Sequence, residues 1–293
     1  MAATWRFRPP KAAFPGCIDT AMKLHRTTTA QHWDRVGESW PAAKQENPVL
    51  AGHKRQVYRR LLNDWMGDAL PSRALKTDMF AEAFNDEEFV SGLVWSRQLL
   101  GIDISSTILQ HARRRPTIGV LRGYVACDVT SLPFRDGSFD LVVSDSTLDH
   151  FGTEAEIHSS LAEIVRVLSP GGRLILSVDN PACLSYPPRW VVRLWMRLGL
   201  APYFVGVTLS AGRLRAALET LGMTMAHQTA ILHYPHPDGL VRLCERCAHT
   251  LGRGKLDGFL GRLFGAAEGL GNTRMRYLTG RYLAVDAVRG IRA

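Results

Sequence analysis

Nowhere in the 293 residues is there an uninterrupted apolar run of about 18 residues, so the sequence offers no transmembrane helix. The start, MAATWRFRPPKAAFPGCIDTA, lacks the apolar core of a secretory signal. Cysteine is scarce. Five residues, an odd number without dense spacing, argue for a reducing compartment and against a disulfide framework. A cytoplasmic protein is the expectation. Only one CxxC pair occurs, Cys244-Glu245-Arg246-Cys247, with His249 nearby. No second pair stands at zinc spacing, so no metal site is expected. Zinc-finger spacing, an RNP-like aromatic motif and basic helix repeats are also missing, which weighs against a nucleic-acid partner. Acidic residues are outnumbered, 27 against 36 basic ones, and the net charge of +9 gathers before residue 60 and after residue 240. That excess suits a solvated Arg-rich surface, or contact with nucleic acid or an anionic membrane surface.

What remains is an ordinary globular composition, 46% hydrophobic and 22% charged, long enough for one large α/β domain with additions. Residues 1–28, with Pro9-Pro10 and Pro15-Gly16, are expected to form a flexible N-terminal extension. The domain itself is expected over 29–293. Within it, residues 29–70 read as a helical cap carrying Trp33, Trp40, Val57, Leu61, Leu62 and Trp65. Apolar runs at 74–78, 99–105, 119–127, 139–146 and 173–179 read as five strands. Leu161, Ile164, Val165 and Leu168 fall at i, i+3, i+4 and i+7, one face of a helix, and Pro170-Gly171-Gly172 reads as the turn after it. Alternating strands and helices imply a doubly wound, mainly parallel sheet with right-handed crossovers. Ala211 to Leu221 reads as a helix ending at Gly222, and 223–233 and 279–289 as two more strands. Residues 181–210, rich in Trp, Tyr, Leu and Arg around 186–207, form a lid-like insertion or an interfacial helix; peripheral membrane contact is compatible with either.

The chemistry lies at the strand ends, where open α/β sheets bind their ligands. The second strand, LLGIDIS, ends in Asp103, whose carboxylate can accept two bonds from vicinal ribose hydroxyls. The bland reading is an acid favoured by a helix N-terminus. The third strand ends at Cys127-Asp128. Asp128 can accept the amino group of adenine, with the Val129 N–H facing a ring nitrogen, or it can simply make a local turn. Ile104 can flank the adenine face, and Ser144 ends the fourth strand as a candidate cofactor contact.

Taken together, Gly101-Ile102-Asp103-Ile104-Ser105, Asp128-Val129 with Leu132-Pro133-Phe134, Asp136-Gly137-Ser138-Phe139-Asp140, and Arg166-Val167-Leu168-Ser169-Pro170-Gly171-Gly172 resemble the class I S-adenosylmethionine-dependent methyltransferases, in the broad small-molecule and quinone group. The resemblance implies a Rossmann-like seven-stranded sheet with an antiparallel last strand. It also implies S-adenosyl-L-methionine as cofactor and a small-molecule acceptor. It places the acceptor near Asp149 and His150, with His150 able to act as a base or to be a mere cavity wall. His233 and His236 are weaker candidates for the same work. The sequence departs from the family at the first loop, Lys76-Thr77-Asp78-Met79-Phe80-Ala81-Glu82-Ala83-Phe84, which has no glycine. Either Asp78 or Glu82 takes over contact with the cofactor amino group, or the site is impaired and the chain is a binding protein on the same fold. RNA methylation is a third reading. No Asn-Pro-Pro-Tyr-type motif supports it, because Asp179-Asn180-Pro181-Ala182 follows the fifth strand and not the fourth.

Overall fold

Apolar runs such as Leu141-Val142-Val143 and Leu174-Ile175-Leu176 carry no polar position between them, so both faces of their strands need cover. The computed structural model describes residues 18–40, 47–66, 71–84, 98–115, 121–186, 206–233 and 253–291, together with residues 191, 192, 194, 197 and 198. It forms one seven-stranded sheet: β1 (Arg73–Lys76), β2 (Gln98–Asp103), β3 (Leu121–Ala126), β4 (Phe139–Asp145), β5 (Leu168–Asp179), β6 (Met223–Ile231) and β7 (Tyr282–Arg289). The spatial order is β3-β2-β1-β4-β5-β7-β6. The pairs from β3 to β5 are parallel, and β7 runs antiparallel to both its neighbours. The chain therefore winds outward from β1 to β2 and β3, then returns to place β4 on the other side of β1. That reversal opens a crevice at the carboxyl ends of β1 and β4.

Two layers of helices seal the sheet. Helices α1 (Ile18–Ser39), α2 (Pro48–Met66), α3 (Phe80–Phe84), α4 (Ser106–Arg113), α5 (Glu154–Val167), α6 (Ala211–Thr220), α7 (Arg253–Ala267) and α8 (Arg276–Thr279) are described. Alternate side chains of each strand point to opposite faces. Ala74, Leu141, Val143 and Ile175 meet Leu62 and Met66 of α2. Leu75, Val142, Leu174 and Leu176 share a core with Leu161 and Ile164 of α5 and Leu214 and Leu218 of α6. Each buried Leu, Ile, Val or Met among them contributes about 1.5–3 kcal/mol. Helix α5 starts at a capping box, Thr153 with Glu156, and buries Leu161, Ile164 and Val165 of the stripe read from the sequence, whereas Leu168 lies past its end as the first residue of β5.

Three boundaries differ from expectation. Helix α1 begins at Ile18, so residues 18–28 are helical and not part of a structureless extension; no Pro or Gly interrupts the chain between Gly16 and Gly37. Pro170-Gly171-Gly172 is not a turn before β5 but a bulge inside it. Leu168 already pairs with Phe139, and pairing resumes at Arg173 with Leu141. Gly171, at φ +76°, absorbs the extra length. Finally, β1 ends at Lys76, which leaves Thr77 and Asp78 in the loop. The residues 1–17, most of the 186–207 segment with Trp190 and Trp195, His236, and the Cys244–Cys247 pair with His249 lie outside the described residues. Among the described residues no helix is long and apolar enough to cross a membrane.

Candidate functional site

Strand β2 delivers Asp103 to the rim of the crevice with 6% of its surface exposed. Its carboxylate bridges two loops: Oδ1 accepts from the Ser105 N–H at 2.8 Å and Oδ2 from the Met79 N–H at 3.1 Å. A carboxylate has about four acceptor positions, so each oxygen keeps room for one further donor. Burial, and then the charge of Asp78, pushes its pKa up to about 8 despite those bonds. Ser105 is the N-cap of α4, its Oγ accepting from the Ile108 N–H at 3.1 Å. Ser105 Oγ donates in turn to Asp34 of α1 at 2.6 Å, and Asp34 also accepts from the Thr107 N–H at 3.1 Å. Helix α1 is thereby fastened beside Asp103, and Ile104 sits half-buried between them in sequence.

The glycine-free loop is organised around a residue that the sequence alone did not single out. Lys76 is wholly buried at the end of β1. Its Nζ donates to Glu82 Oε2 at 2.9 Å and to the carbonyl of Asp78. Burial pulls the ammonium's pKa down, but Glu82, Asp78 and Asp145 outweigh it and hold it above the usual lysine value. Glu82 is sealed from solvent, and its Oε1 is buried without a hydrogen-bond partner. Asp78 is half-exposed, with Oδ1 accepting from the Phe80 N–H at 3.0 Å. Burial pushes the carboxyls of Asp78 and Glu82 upward as it does that of Asp103, while the Lys76 ammonium pulls all three back down. Of the two acids named from the sequence for an amino group, Asp78 is half-buried and Glu82 is sealed from solvent. The apolar setting of Lys76, Ala74-Leu75 before it, gave no signal that it would be buried.

Asp128 follows β3 and holds its own turn, with Oδ1 accepting from the Thr130 N–H at 2.8 Å and from Thr130 Oγ1 at 2.7 Å. That is the local role weighed against adenine recognition. Val129 behind it is buried in the core. Ser144, also fully buried, takes its bond from Thr77 Oγ1 at 2.9 Å, and Thr77 Oγ1 lies 2.8 Å from Thr147 Oγ1. These hydroxyls stitch β1 to β4 across the crevice, and the Ser144 side chain is occupied there.

On the acceptor side, Asp149 is buried and doubly bonded, Oδ2 accepting from Ser146 Oγ and Oδ1 from the Asp179 N–H, each at 2.8 Å. Burial, then Asp179, pushes its pKa well above the usual carboxylate range. It braces the end of β4 against β5. His150 is half-buried, its ring 4.7 Å edge-to-face from Trp33 of α1. The segment entering α6 closes on this turn. Gly206 N–H donates to the Asp149 carbonyl at 2.8 Å, and a Cβ on Gly206 would stand 2.5 Å from that oxygen. Two acids that the sequence alone left unassigned complete the rim. Asp145 accepts from Tyr58 OH at 2.7 Å and from Ser177 Oγ, and Asp179 accepts from Tyr186 OH. His233 is not with them; it is buried between Thr279 Oγ1 and the Ala230 carbonyl, both at 2.9 Å. Among the described residues no three His, Cys, Asp or Glu side chains gather as metal ligands.

Comparison with known proteins gives a consistent picture. Residues 84–176 match a family model described as a methyltransferase domain. A demethylmenaquinone methyltransferase of Renibacterium salmoninarum is 32% identical over 132 residues, 45% of this chain and 51% of that protein. A probable tRNA methyltransferase 9B of Mus musculus is 35% identical over 79 residues, 27% of this chain and 17% of that protein. The chain thus spans about half, or less, of the length of these curated relatives. Among solved structures, the N-methyltransferase NodS of Bradyrhizobium japonicum with S-adenosyl-l-homocysteine shares the fold, with a TM-score of 0.50 and 15% identity over 83% of this chain and 89% of that one.

Proposed function

We propose that this chain, which carries a class I S-adenosylmethionine-dependent methyltransferase domain, transfers a methyl group from S-adenosyl-L-methionine to a small, fairly apolar acceptor. The observation that carries the reading is Asp103. It is a buried carboxylate at the carboxyl end of β2, beside the reversal of the sheet, held by two backbone N–H groups and able to accept two more bonds. Those remaining positions suit the vicinal hydroxyls of the cofactor ribose. Asp78, half-exposed one strand away, suits its amino group, and Ile104 and the Val129 backbone suit the adenine. Asp128, at the adjacent strand end, suits the adenine amino group alongside its bonds to Thr130.

The bound cofactor supplies an electrophilic methyl on sulfur, so the protein needs no nucleophile of its own. Its task is alignment, which can supply about 7–11 kcal/mol of the barrier. His150, at the crevice and packed against Trp33, is the candidate to take a proton from a hydroxyl acceptor. Asp149 supports that turn. The described part of the 186–207 segment presents Leu194 and Leu198 to solvent, 46% and 61% exposed and one helical turn apart. That supports an apolar acceptor or a lipid-facing entrance.

The test is methyl-labelled cofactor with the purified protein and a source-cell extract split into organic-soluble metabolites, protein and RNA. Label in a metabolite of low polarity is the expected result. Label confined to RNA would replace this acceptor class with the one named for the mouse relative.

A further inference from the structure

The Asp78 carbonyl and the Met79 N–H are the two ends of one peptide unit, and such units are planar. The structure grips that unit at both ends. Lys76 Nζ donates to the carbonyl, and the N–H donates to Asp103 Oδ2 at 3.1 Å. A third contact fixes the side chain of Met79. It is fully buried over Gly101 of β2, where a Cβ would come within 2.5 Å of its Sδ. The close approach that a glycine in the first loop would permit is thus obtained from a glycine on the neighbouring strand. The orientation is set by a lysine in place of a φ > 0 turn. Lys76 is held in place by Glu82 at 2.9 Å, both side chains being sealed from solvent.

We propose that Lys76 is a positioning residue for the cofactor. By gripping the carbonyl end of the 78–79 peptide it turns the N–H end onto Asp103 and so fixes the carboxylate that receives the ribose. The inference rests on the reading of Asp103 given above. A Lys76–Glu82 pair serving only as a buried ion pair would behave differently. Such pairs can be replaced by apolar side chains of similar volume at little cost, whereas removing one partner is strongly destabilising.

The decisive variant is therefore the double substitution Lys76→Met with Glu82→Leu, which keeps the volume and removes both charges. Thermal melting and calorimetric titration with S-adenosylhomocysteine are compared with wild type. The expected result is a melting temperature close to wild type with binding weakened about ten-fold or more, the scale of a lost charge-assisted contact. A folded double variant that binds as tightly as wild type would overturn the proposal. If the double variant does not fold, Lys76→Gln with Glu82→Gln serves instead, a neutral pair with a shorter side chain at 76 to reach the Asp78 carbonyl. It should weaken binding about three-fold or more. Unchanged binding by that folded variant would also overturn the proposal. Failure of wild type to bind is a separate outcome, which removes the cofactor reading and this inference with it.

Discussion

Asp103 is a carboxyl whose environment opposes its charge. Burial and Asp78 push its pKa up to about 8, while the N–H groups of Met79 and Ser105 only partly compensate. Stability and binding respond to this with opposite signs. In the unfolded chain an aspartate ionises near 3.9, so between about pH 4 and pH 8 the folded state holds a proton that the unfolded state has lost. This residue therefore lowers the stability of the ligand-free protein as pH rises through that window. Ribose hydroxyls, in contrast, need the ionised carboxylate, so binding draws the proton off. S-adenosylhomocysteine affinity should rise from pH 6 to about pH 8 and level off above it, and Asp103→Asn should flatten the profile. Titration calorimetry across that range measures both; a flat wild-type profile would separate Asp103 from the ribose. The aspartate itself was legible, because Gly101-Ile102-Asp103-Ile104-Ser105 ends an apolar run in an acid. Lys76 was not. A lone lysine after Ala74-Leu75 reads as a strand end reaching water, and only the fold brings Glu82 and the 78–79 peptide to it.

Among the elements, α1 is tied to the site through the side chain of Asp34. It accepts from Ser105 Oγ and the Thr107 N–H, acting as a second cap on α4 supplied from another helix. Burial raises its pKa, but these bonds outweigh that and hold it below 3.8. The contribution is therefore present above about pH 4 and fades as pH falls below the folded value. Asp34→Ala should cost about 1–2 kcal/mol in urea unfolding at neutral pH, the size of a lost helix cap. It should also speed amide exchange over residues 30–39, where Trp33 loses its fixed place against His150. An unchanged exchange pattern would show that α1 is held by other contacts. The helix was expected only from residue 29, because Pro9-Pro10 and Pro15-Gly16 make the whole stretch before it read as irregular. The bulge at Pro170-Gly171-Gly172 was read as a turn for a related reason: local pattern cannot distinguish a turn before a strand from a bulge inside one. The inner stripe of α5 and the final Gly222, at φ +80°, were legible because periodicity and stereochemistry are local.

Across the whole molecule, the sheet order sets an acid at or just beyond each of five strand ends: Asp78, Asp103, Asp128, Asp145 and Asp179, from β1 to β5. The alternation of strands and helices and the antiparallel β7 were legible from pattern and resemblance. The division of labour among the acids was not, because it depends on hydrogen bonds between distant residues. Asp149 braces β4 against β5, Asp128 holds its own turn, and Asp145 and Asp179 are tied to Tyr58 and Tyr186. Asp103 alone among these combines burial at the reversal of the sheet with bonds only to backbone N–H groups among its described partners. The central claim is that this carboxylate holds the cofactor. Its most direct test is titration of S-adenosylhomocysteine into wild type and Asp103→Ala at pH 8, with melting curves for both. Saturable binding by wild type, weakened about ten-fold or more in a variant that remains folded, is the predicted result. No wild-type binding at millimolar ligand, or equal binding by a folded Asp103→Ala protein, would contradict it.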